Sequence, residues 1–355
     1  MTKTKIFMSV LMTILALIIA GCSSGASGGG GDKKDKDLVV VDWGGPYTDI
    51  HKKTVFEPFE KKYGVKVTVV TPPDVGKLKS MVESGNVEWD VVSVGDDFAI
   101  RGGREGLLEK LDFNVIKTDG LPKELVHDYA VPENVFSTVI AYNTDTFPKG
   151  EHPKNWTDVW DVKKFPGARG LYKDPMWTLE AALLADGVEP EKLYPLDVDR
   201  AFKKLDKIKD EVKVWWTAGA QPPEILATNE VPISSAWGGR ITSARDGGAP
   251  VEVEFNQGLI LSNSWAVPKG APNKDLAMKF IAFSLEPKQQ AALSMKYDNA
   301  PANANAVALL SDEVKNRLGL GQSSSQLDNQ VYINTSWWVD NYVKVNERFQ
   351  QWLLE

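Results

Sequence analysis

The sequence predicts an α/β protein with two lobes, each built on a parallel-rich sheet, and a hinge between the lobes. A chain of 355 residues is long enough for two domains of the usual ~100–200 residues. Apolar runs typical of buried strands alternate with segments of helical periodicity, as in parallel α/β sheets. Two long extended segments, at residues 135–142 and 258–268, bracket the second strand–helix series. They predict that the chain crosses between the lobes twice.

The first 37 residues precede the predicted fold and have the pattern of an export signal. Two lysines stand before an apolar run at residues 6–20, which is shorter than the ~20 apolar residues of a membrane-spanning helix. The run leads to Cys22, the single cysteine, in a pattern that resembles the lipobox of bacterial lipoproteins. We therefore expect a signal peptide at residues 1–21, a diacylated anchor at Cys22 and a flexible tether at residues 22–37. An ordinary cleaved signal with a chance cysteine is the alternative.

The first strand–helix series begins at residue 38. The predicted elements are strands at residues 38–41, 65–70 and 89–94 and amphipathic helices at residues 49–62 and 74–84. In parallel α/β sheets, ligands bind at the carboxyl ends of strands. The loops at residues 42–47 and 95–98 are therefore expected to border a site.

The second series follows the first extended segment. The predicted elements are a strand near residues 170–172, helices at 178–185 and 198–208, a strand at 212–216, a helix at 223–227, a strand at 231–237 and, after the second extended segment, helices at 274–284 and 287–295. This order predicts lobe 1 from residues 38–141 with about 264–310. Lobe 2 is then formed by residues 142–263 with about 311–355.

Composition and motifs exclude several classes of function. The 41 basic and 48 acidic residues give a net charge of −7, which does not attract nucleic acid. Three scattered histidines and one cysteine leave little for a metal site or a disulfide, so we expect no metal. The G-x-S-x-G, G-x-x-x-x-G-K and H-E-x-x-H signatures are also missing from the sequence. These observations favour a binding protein over an enzyme.

Twelve tryptophans are an excess for a chain of this length, and their positions predict two roles. Trp43 and Trp237 each follow a predicted strand and precede Gly-Gly, where the missing side chains would let a ligand approach. Both are therefore predicted to line a pocket. Trp156, Trp160 and Trp338 lie in segments of helical periodicity and are predicted to fill the core.

Five charged residues also lie near the ends of predicted strands: Asp42, Asp96, Asp97, Asp174 and Arg240. A single charge on a loop is typical of a solvated surface, but the shared position of these five favours a common site. Arg240 starts a predicted helix, where its planar guanidinium could bind a carboxylate beside the helix N-terminus. A salt bridge at the surface or between the lobes is the alternative for Arg240.

Several short motifs follow one another in a specific order. They are DW at residues 42–43, YNTDTF at 142–147, NWTDVWD at 155–161, KFPG at 164–167 and WAVPKG at 265–270. With these motifs the chain resembles the solute-binding proteins of the spermidine/putrescine family of ABC importers, which includes relatives that bind 4-aminobutyrate. The resemblance implies a two-lobed periplasmic-binding-protein fold (type II-like) with crossings near residues 142 and 262. It also implies no catalytic activity, no cofactor, and a membrane permease and an ATPase as partners of a monomeric chain.

The resemblance also carries binding positions over to this chain. Positions of the polyamine binders fall on Trp43, Asp96, Asp97, Asp174 and Trp237. A carboxylate of these binders falls on Asn263, and an arginine of the 4-aminobutyrate binders matches Arg240. Burying a second ammonium without its carboxylate would cost several kcal/mol. A solute with one carboxylate and one amine or quaternary ammonium therefore fits as well as a polyamine does.

The predicted function is that of an extracytoplasmic solute-binding lipoprotein, anchored through Cys22, which captures a small amine-bearing solute for an ABC importer. We expect the two lobes to close on the solute. Two alternatives stay open. One is a secreted enzyme that uses Asp96 and Asp97 for acid–base chemistry, although adjacent carboxylates usually diverge. The other is a ligand-sensing subunit that presents its closed form to a membrane receptor.

Overall fold

The computed structural model describes residues 37–318, 320 and 329–355. The strands are β1 (Asp37–Val41), β2 (Lys66–Val70), β3 (Val91–Gly95), β4 (Ala130–Asn143), β5 (Arg169–Tyr172), β6 (Val212–Trp216), β7 (Ile233–Trp237), β8 (Val251–Ala266), β9 (Ala300–Pro301) and β10 (Val331–Tyr332). The helices are α1 (Gly45–His51), α2 (Glu57–Tyr63), α3 (Val75–Ser84), α4 (Asp96–Arg104), α5 (Trp156–Trp160), α6 (Pro175–Ala185), α7 (Val198–Leu205), α8 (Gln221–Ala227), α9 (Gly238–Asp246), α10 (Lys274–Ser284), α11 (Pro287–Ser294), α12 (Asp312–Arg317) and α13 (Thr335–Leu354). The predicted signal peptide, Cys22 and all of the predicted tether except Asp37 lie outside the described residues.

The strands form one sheet in the order β2-β1-β3-β8-β4-β7-β5-β6, with β10 beside β8 and β9 beside β4. At one end β1 pairs in parallel with β2 and β3, and at the other end β5 pairs in parallel with β6 and β7. The long strands β4 and β8 pair antiparallel with each other and join the two parallel groups. The predicted mixed α/β class is therefore confirmed, and the two predicted extended segments are β4 and β8.

Both faces of the first parallel group are covered, which explains why its strands are continuous apolar runs. On one face Leu38 and Val40 pack in a cluster with Phe59 of α2. On the other face Val41 packs with Leu78 of α3 in a second cluster. The apolar residues therefore position the carboxyl ends of β1 and β3, where polar residues follow.

The second parallel group is covered in the same way. Leu179 of α6 and Phe349 of α13 belong to a large cluster on one face, and Leu226 of α8 and Ile241 of α9 belong to a cluster on the other face. Helix α13 thus packs with the second group, while Val314 of α12 packs in a separate cluster with residues of α11. The lobe boundaries proposed from the sequence stay a prediction.

Some local features differ from the predictions. The helix predicted at residues 49–62 is divided into α1 and α2 by a π-helical turn at Lys52–Phe56. The segment at residues 95–98, expected as a loop, already contains the start of α4. Helix α6 begins three residues earlier than predicted and has non-helical backbone angles at Met176 and Trp177. The last two differences lie just after the carboxyl ends of β3 and β5.

Candidate ligand-binding cleft

Two adjoining cavities, each of about 420 Å³, lie where β1, β3, β5 and β7 end beside the middle of β8. One is lined by Trp43, Phe136, Trp177, Trp237, Gly238, Gly239, Arg240, Ser243, Asn263, Tyr297, Asp298 and Asn299, and we call it the basic cavity. The other, which we call the acidic cavity, has Asp96, Asp97, Arg101, Phe136, Tyr172, Asp174, Met176, Trp177, Leu261, Asn263, Trp338, Val339 and Tyr342 among its lining residues. Both cavities share Phe136, Trp177 and Asn263, so they form one cleft.

All seven side chains predicted from the sequence line this cleft. Trp43, Trp237 and Arg240 are in the basic cavity, Asp96, Asp97 and Asp174 are in the acidic cavity, and Asn263 borders both. Residues up to 220 positions apart in the chain meet because six of them lie at or just after the ends of strands of one sheet, and Asn263 lies within β8 of the same sheet. Their role in binding remains a prediction.

Arg240 lies in the first turn of α9, directly after Gly238 and Gly239, which follow β7. Its side chain is exposed, and the described residues form no hydrogen bond or salt bridge with it. The positive charge of Arg240 lowers the pKa of nearby Tyr297, although burial raises that pKa more strongly. The guanidinium is thus available to an anion that enters the basic cavity.

The Gly-Gly pairs after Trp43 and Trp237 were expected to let a ligand approach, but the structure gives another reason for glycine at these positions. Gly44 and Gly45 have φ of 89° and 61°, a left-handed conformation that favours glycine. A Cβ on Gly239 would lie 2.7 Å from the carbonyl oxygen of Asp298. Backbone conformation and close packing within the protein therefore account for these three glycines.

Trp43 is 41% exposed, yet both of its N–H groups are bound within the protein. The indole Nε1 donates to Ser93 Oγ over 2.8 Å, and the backbone N–H donates to Asp42 Oδ1 over 2.8 Å. The ring is held in one orientation, and its face is the part left for a ligand.

Trp177 was not predicted as a site residue, although it lies in the wall shared by the two cavities. Its φ is 71°, which is unusual for a residue other than glycine. This conformation places its ring 5.4 Å from that of Tyr172. The indole nitrogens of Trp177 and Trp237 are buried, and neither has a hydrogen-bond partner in the part of the chain that the structure describes.

Asp174 connects the acidic cavity to α6 and α13. Its Oδ1 accepts from the Met176 N–H over 2.9 Å, which caps α6, and its Oδ2 accepts from the Tyr342 hydroxyl over 2.7 Å. Burial raises the pKa of Asp174, while these two hydrogen bonds lower it less strongly. The carboxylate is therefore oriented before any ligand binds.

Asp96 and Asp97 start α4 but have different environments. Asp96 is buried, and its Oδ1 accepts from Ser262 over 2.7 Å and from Ser264 over 2.5 Å. Burial raises the pKa of Asp96 to about 6, and its Oδ2 has no partner among the described residues. Asp97 is exposed. The two carboxylates thus do not form a matched acid–base pair.

Other lining residues also escaped prediction. They are Phe136 of β4, Tyr172 at the end of β5, Tyr342 of α13, and Tyr297, Asp298 and Asn299 in the segment before β9. Asp298 is ion-paired with Arg317 of α12 over 2.8 Å, whereas Arg240 has no ion-pair partner among the described residues. No local motif marks these positions, because each depends on a contact between distant parts of the chain.

A group of three ionisable side chains, Asp42, His51 and Glu133, lies fully buried near Trp43, and we call it the buried cluster. One potential metal-ligand atom from each lies within 4.8 Å of the others. Hydrogen bonds already join these groups to one another and to Tyr47, Thr48 and Ser93. The geometry therefore favours an internal hydrogen-bond network over a metal site.

The fold and the cleft together define a ligand-binding protein: polar and aromatic side chains from several elements converge on a cavity between two sheet ends. The chain belongs to the family of bacterial extracellular solute-binding proteins, whose model matches residues 54–320. Within the described residues, no helix combines the length and apolarity that crossing a membrane would require.

Individual relatives agree with this assignment. The chain is 37% identical to the gamma-aminobutyric acid-binding protein of Pseudomonas aeruginosa over 329 residues, which covers 90% of this chain and 91% of the relative. It is 26% identical to the spermidine/putrescine-binding periplasmic protein of Escherichia coli, over 81% of this chain and 85% of the relative. A solved ABC transporter substrate-binding protein from Bradyrhizobium japonicum has 39% identity and a TM-score of 0.82, over 90% of this chain and 99% of the other.

These findings confirm the predicted class. The chain is an extracytoplasmic substrate-binding protein of the ABC-transporter type, and it is not an enzyme. The alternative of an acid–base enzyme that uses Asp96 and Asp97 is therefore wrong.

Proposed function

We propose that this protein captures a small solute that carries both a carboxylate and a positively charged nitrogen, and delivers it to a membrane permease and its ATPase. The observation that carries the proposal is the charge asymmetry of the cleft. Arg240 lies in the basic cavity, where Asp298 is neutralised by its ion pair with Arg317, and Asp96, Asp97 and Asp174 outnumber Arg101 in the acidic cavity. Both cavities share the wall formed by Trp177 and Asn263.

The basic cavity suits the carboxylate. Arg240 offers a planar fork of donors without a partner among the described residues. It stands at the N-terminus of α9, where unpaired backbone N–H groups and the helix dipole favour an anion. The indole N–H groups of Trp177 and Trp237 would also gain from an acceptor, because a buried unsatisfied donor costs ~1–3 kcal/mol.

The acidic cavity suits the positive nitrogen. Asp97 and Asp174 supply negative charge, and the rings of Tyr172, Trp177 and Tyr342 supply faces that attract cations. Asn263 is a neutral amide between the two cavities. A diamine would place one ammonium near Arg240 without a free carboxylate beside it, which is unfavourable.

The relatives support an amine-bearing solute, since one is a gamma-aminobutyric acid-binding protein and another is a spermidine/putrescine-binding protein. The first has the higher identity and carries the chemistry that the charge asymmetry favours. A polyamine is the second candidate, because three aspartates line the acidic cavity.

The test compares 4-aminobutyrate, putrescine and spermidine by titration calorimetry on the wild type, Arg240→Lys, Arg240→Ala and Asn263→Asp. Arg240→Lys keeps the charge and loses the fork, so it should weaken a carboxylate ligand ~10-fold and leave a pure polyamine nearly unaffected. Asn263→Asp should improve putrescine binding. Tight spermidine binding that is unchanged in Arg240→Ala would refute the carboxylate proposal.

We also propose that Cys22 carries a lipid anchor and that the chain works as a monomer on the outer face of the membrane. The support is the small-residue sequence before the single cysteine and the Gly-rich segment after it. Cys22→Ala should release the intact protein from the membrane fraction, whereas Cys22→Ala protein that stays in that fraction would contradict the anchor. A sensing role would require that the closed form of the protein binds a membrane receptor.

A further inference from the structure

The buried cluster is connected to the wall of the basic cavity by a continuous chain of hydrogen bonds. The Ser93 hydroxyl donates to one carboxylate oxygen of Glu133, and Ser93 Oγ in turn accepts from Trp43 Nε1 over 2.8 Å. Asp42 of the same cluster accepts the Trp43 backbone N–H. Both N–H groups of Trp43 therefore end in the buried cluster.

A second chain leads from the other oxygen of Glu133 to the opposite side of the basic cavity. The Tyr47 hydroxyl donates to Glu133 and accepts from Asn134 Nδ2 over 2.6 Å. Asn134 Oδ1 accepts from Asn299 Nδ2 over 2.8 Å, and the Tyr297 ring packs edge-on against Tyr47 at 4.9 Å. Asn299 and Tyr297 both line the basic cavity.

The direction of these bonds depends on the charge of Glu133. An ionised carboxylate can only accept, so the hydroxyls of Ser93 and Tyr47 both donate to it. A protonated Glu133 would have to donate to one of these two oxygens. Ser93 Oγ would then receive two donors while its own hydrogen lost its acceptor, and the bond to Trp43 would weaken.

We propose that Glu133 is a positioning residue for the basic cavity, holding Trp43 through Ser93 and Tyr297 and Asn299 through Tyr47, so that solute affinity follows the ionisation of Glu133. The proposal deepens the proposed function, because it rests on a solute that contacts the basic cavity. Glu133 itself lines neither cavity, so it is argued to act through Trp43, Tyr297 and Asn299.

The groups that face Glu133 come from each element packed around it: Asp42 follows β1, Tyr47 and His51 belong to α1, and Ser93 belongs to β3. Burial raises the pKa of Glu133, the charge of His51 lowers it, and the charge of Asp42 raises it again. The net shift is upward, so the carboxylate forms at a higher pH than an ordinary glutamate. Affinity should therefore rise with pH as Glu133 ionises.

A double-mutant cycle tests the connection, with 4-aminobutyrate as the probe and spermidine as a second probe if 4-aminobutyrate does not bind. Glu133→Gln keeps the shape but must donate with its amide, so it should weaken binding ~10-fold. The second substitution is Trp43→Phe, which removes the indole N–H. The double variant should lose clearly less affinity than the product of the two single-variant losses. Ser93→Ala, which removes both the acceptor of Trp43 Nε1 and the hydroxyl donor to Glu133, should behave like Glu133→Gln in this cycle.

The pH profile of the dissociation constant between pH 5.5 and 8 separates this role from a structural one. Aspartates of the acidic cavity also gain negative charge with rising pH, so the wild-type profile alone does not separate the effect of Glu133 from theirs. The wild type should improve more steeply with pH than Glu133→Gln, while Glu109→Gln, at an unrelated buried glutamate, should keep the wild-type slope.

Parallel profiles of the wild type and Glu133→Gln, or losses that simply multiply in the cycle, would overturn the proposal. These outcomes are separate from a failure of the proposed function. An unchanged affinity in Arg240→Lys rejects the carboxylate ligand, but the cycle can still be measured with whichever probe binds.

Discussion

Trp43 shows how one side chain can be exposed and immobile at the same time. Its indole is anchored to Ser93 and its backbone to Asp42, so the ring loses little conformational freedom when a solute stacks on it. Trp237 reaches a comparable state by packing, since its ring lies 5.7 Å from Trp216 and 6.0 Å from Tyr172 in edge-on contacts. Both rings are therefore arranged for binding before the solute arrives.

Truncation of either ring tests this arrangement at the level of the residue. Trp43→Ala and Trp237→Ala should each weaken binding of the solute by ~2 kcal/mol or more, as the loss of a central aromatic contact does. Titration calorimetry measures the loss, and circular dichroism checks the fold. Trp215→Ala, on a partly buried ring that packs against Phe349 and Trp352 of α13 outside the cleft, is the matched control and should leave the affinity unchanged. Normal affinity in both alanine variants would assign the two rings to packing alone.

At the level of the element, α6 departs most from what its sequence suggests. Asp174 caps it and Pro175 starts it, but Met176 has ψ of 137° and Trp177 has φ of 71° before the regular helix continues. This irregular turn moves the Trp177 ring into the wall shared by the cavities. Helix α13 then closes the acidic cavity from the other side, with Trp338 and Tyr342 facing it.

A buried carboxylate joins these two helices. Glu180 of α6 accepts from Trp338 Nε1 over 2.6 Å and from the Tyr194 hydroxyl over 2.6 Å, and its Oε2 has no partner in the described part of the chain. Trp338→Phe should therefore destabilise the protein by ~1–3 kcal/mol, because it removes a donor from a buried acceptor. The urea midpoint measures this change. Trp337→Phe, at the adjacent position, should cost much less, and equal losses would contradict the role of Glu180.

The elements were more predictable than the cleft they form. The alternation of apolar runs and amphipathic segments was enough for β1 to β3, because burial on both faces leaves its mark on the local sequence. Trp43 and Arg240 could be proposed because both lie within three residues of the end of a strand. Trp177 and Tyr342 could not, since the first depends on an irregular turn inside an apolar run and the second on the docking of a distant helix.

At the level of the whole molecule, the β4–β8 pair is the central feature. The two strands have 14 and 16 residues, and they connect a parallel group at each end of the sheet. Their register shifts between Pro132 and Asn134 and again between Thr138 and Ile140. Such irregularities bend a strand pair and relieve strict pairing. The cleft lies beside this stretch, where a change in bend would alter both cavities at once.

Closure of the two ends on the solute is the expected consequence of this arrangement. Phe136 of β4 and Asn263 of β8 line both cavities, so a solute that fills the cleft contacts both connecting strands and both groups. Small-angle scattering should give a smaller radius of gyration for the solute-saturated protein than for the free protein. Arg240→Ala at the same solute concentration provides the control with reduced binding. Identical scattering profiles at saturation would contradict closure.

Stability of the whole molecule should fall as the pH rises from 5 to 8. Burial raises the pKa of Glu180 to about 7 and that of Asp96 to about 6, and the pKa of Glu133 is raised as well. The folded protein therefore holds protons that the unfolded chain releases near pH 4–4.5, and rising pH favours the unfolded chain. Burial lowers the pKa of His51, but the hydrogen bond with Asp42 and the charge of Asp42 raise it more strongly. The folded protein therefore also holds a proton on His51 that the unfolded chain releases at lower pH, which again makes stability fall as the pH rises.

Two histidines oppose this trend but do not outweigh it. Burial lowers the pKa of His127 and of His152, so below pH 6.5 the unfolded chain binds protons that these two side chains lack in the folded protein. The raised carboxyl groups are more numerous, and one unit of pKa corresponds to ~1.4 kcal/mol. The net loss of unfolding free energy from pH 5 to pH 8 should thus be on the order of a few kcal/mol, visible as a falling urea midpoint. Glu180→Gln should flatten the slope, and Glu191→Gln, at an exposed position, should not. A urea midpoint that rises with pH would contradict this prediction, because it would mean that the folded protein binds fewer protons than the unfolded chain.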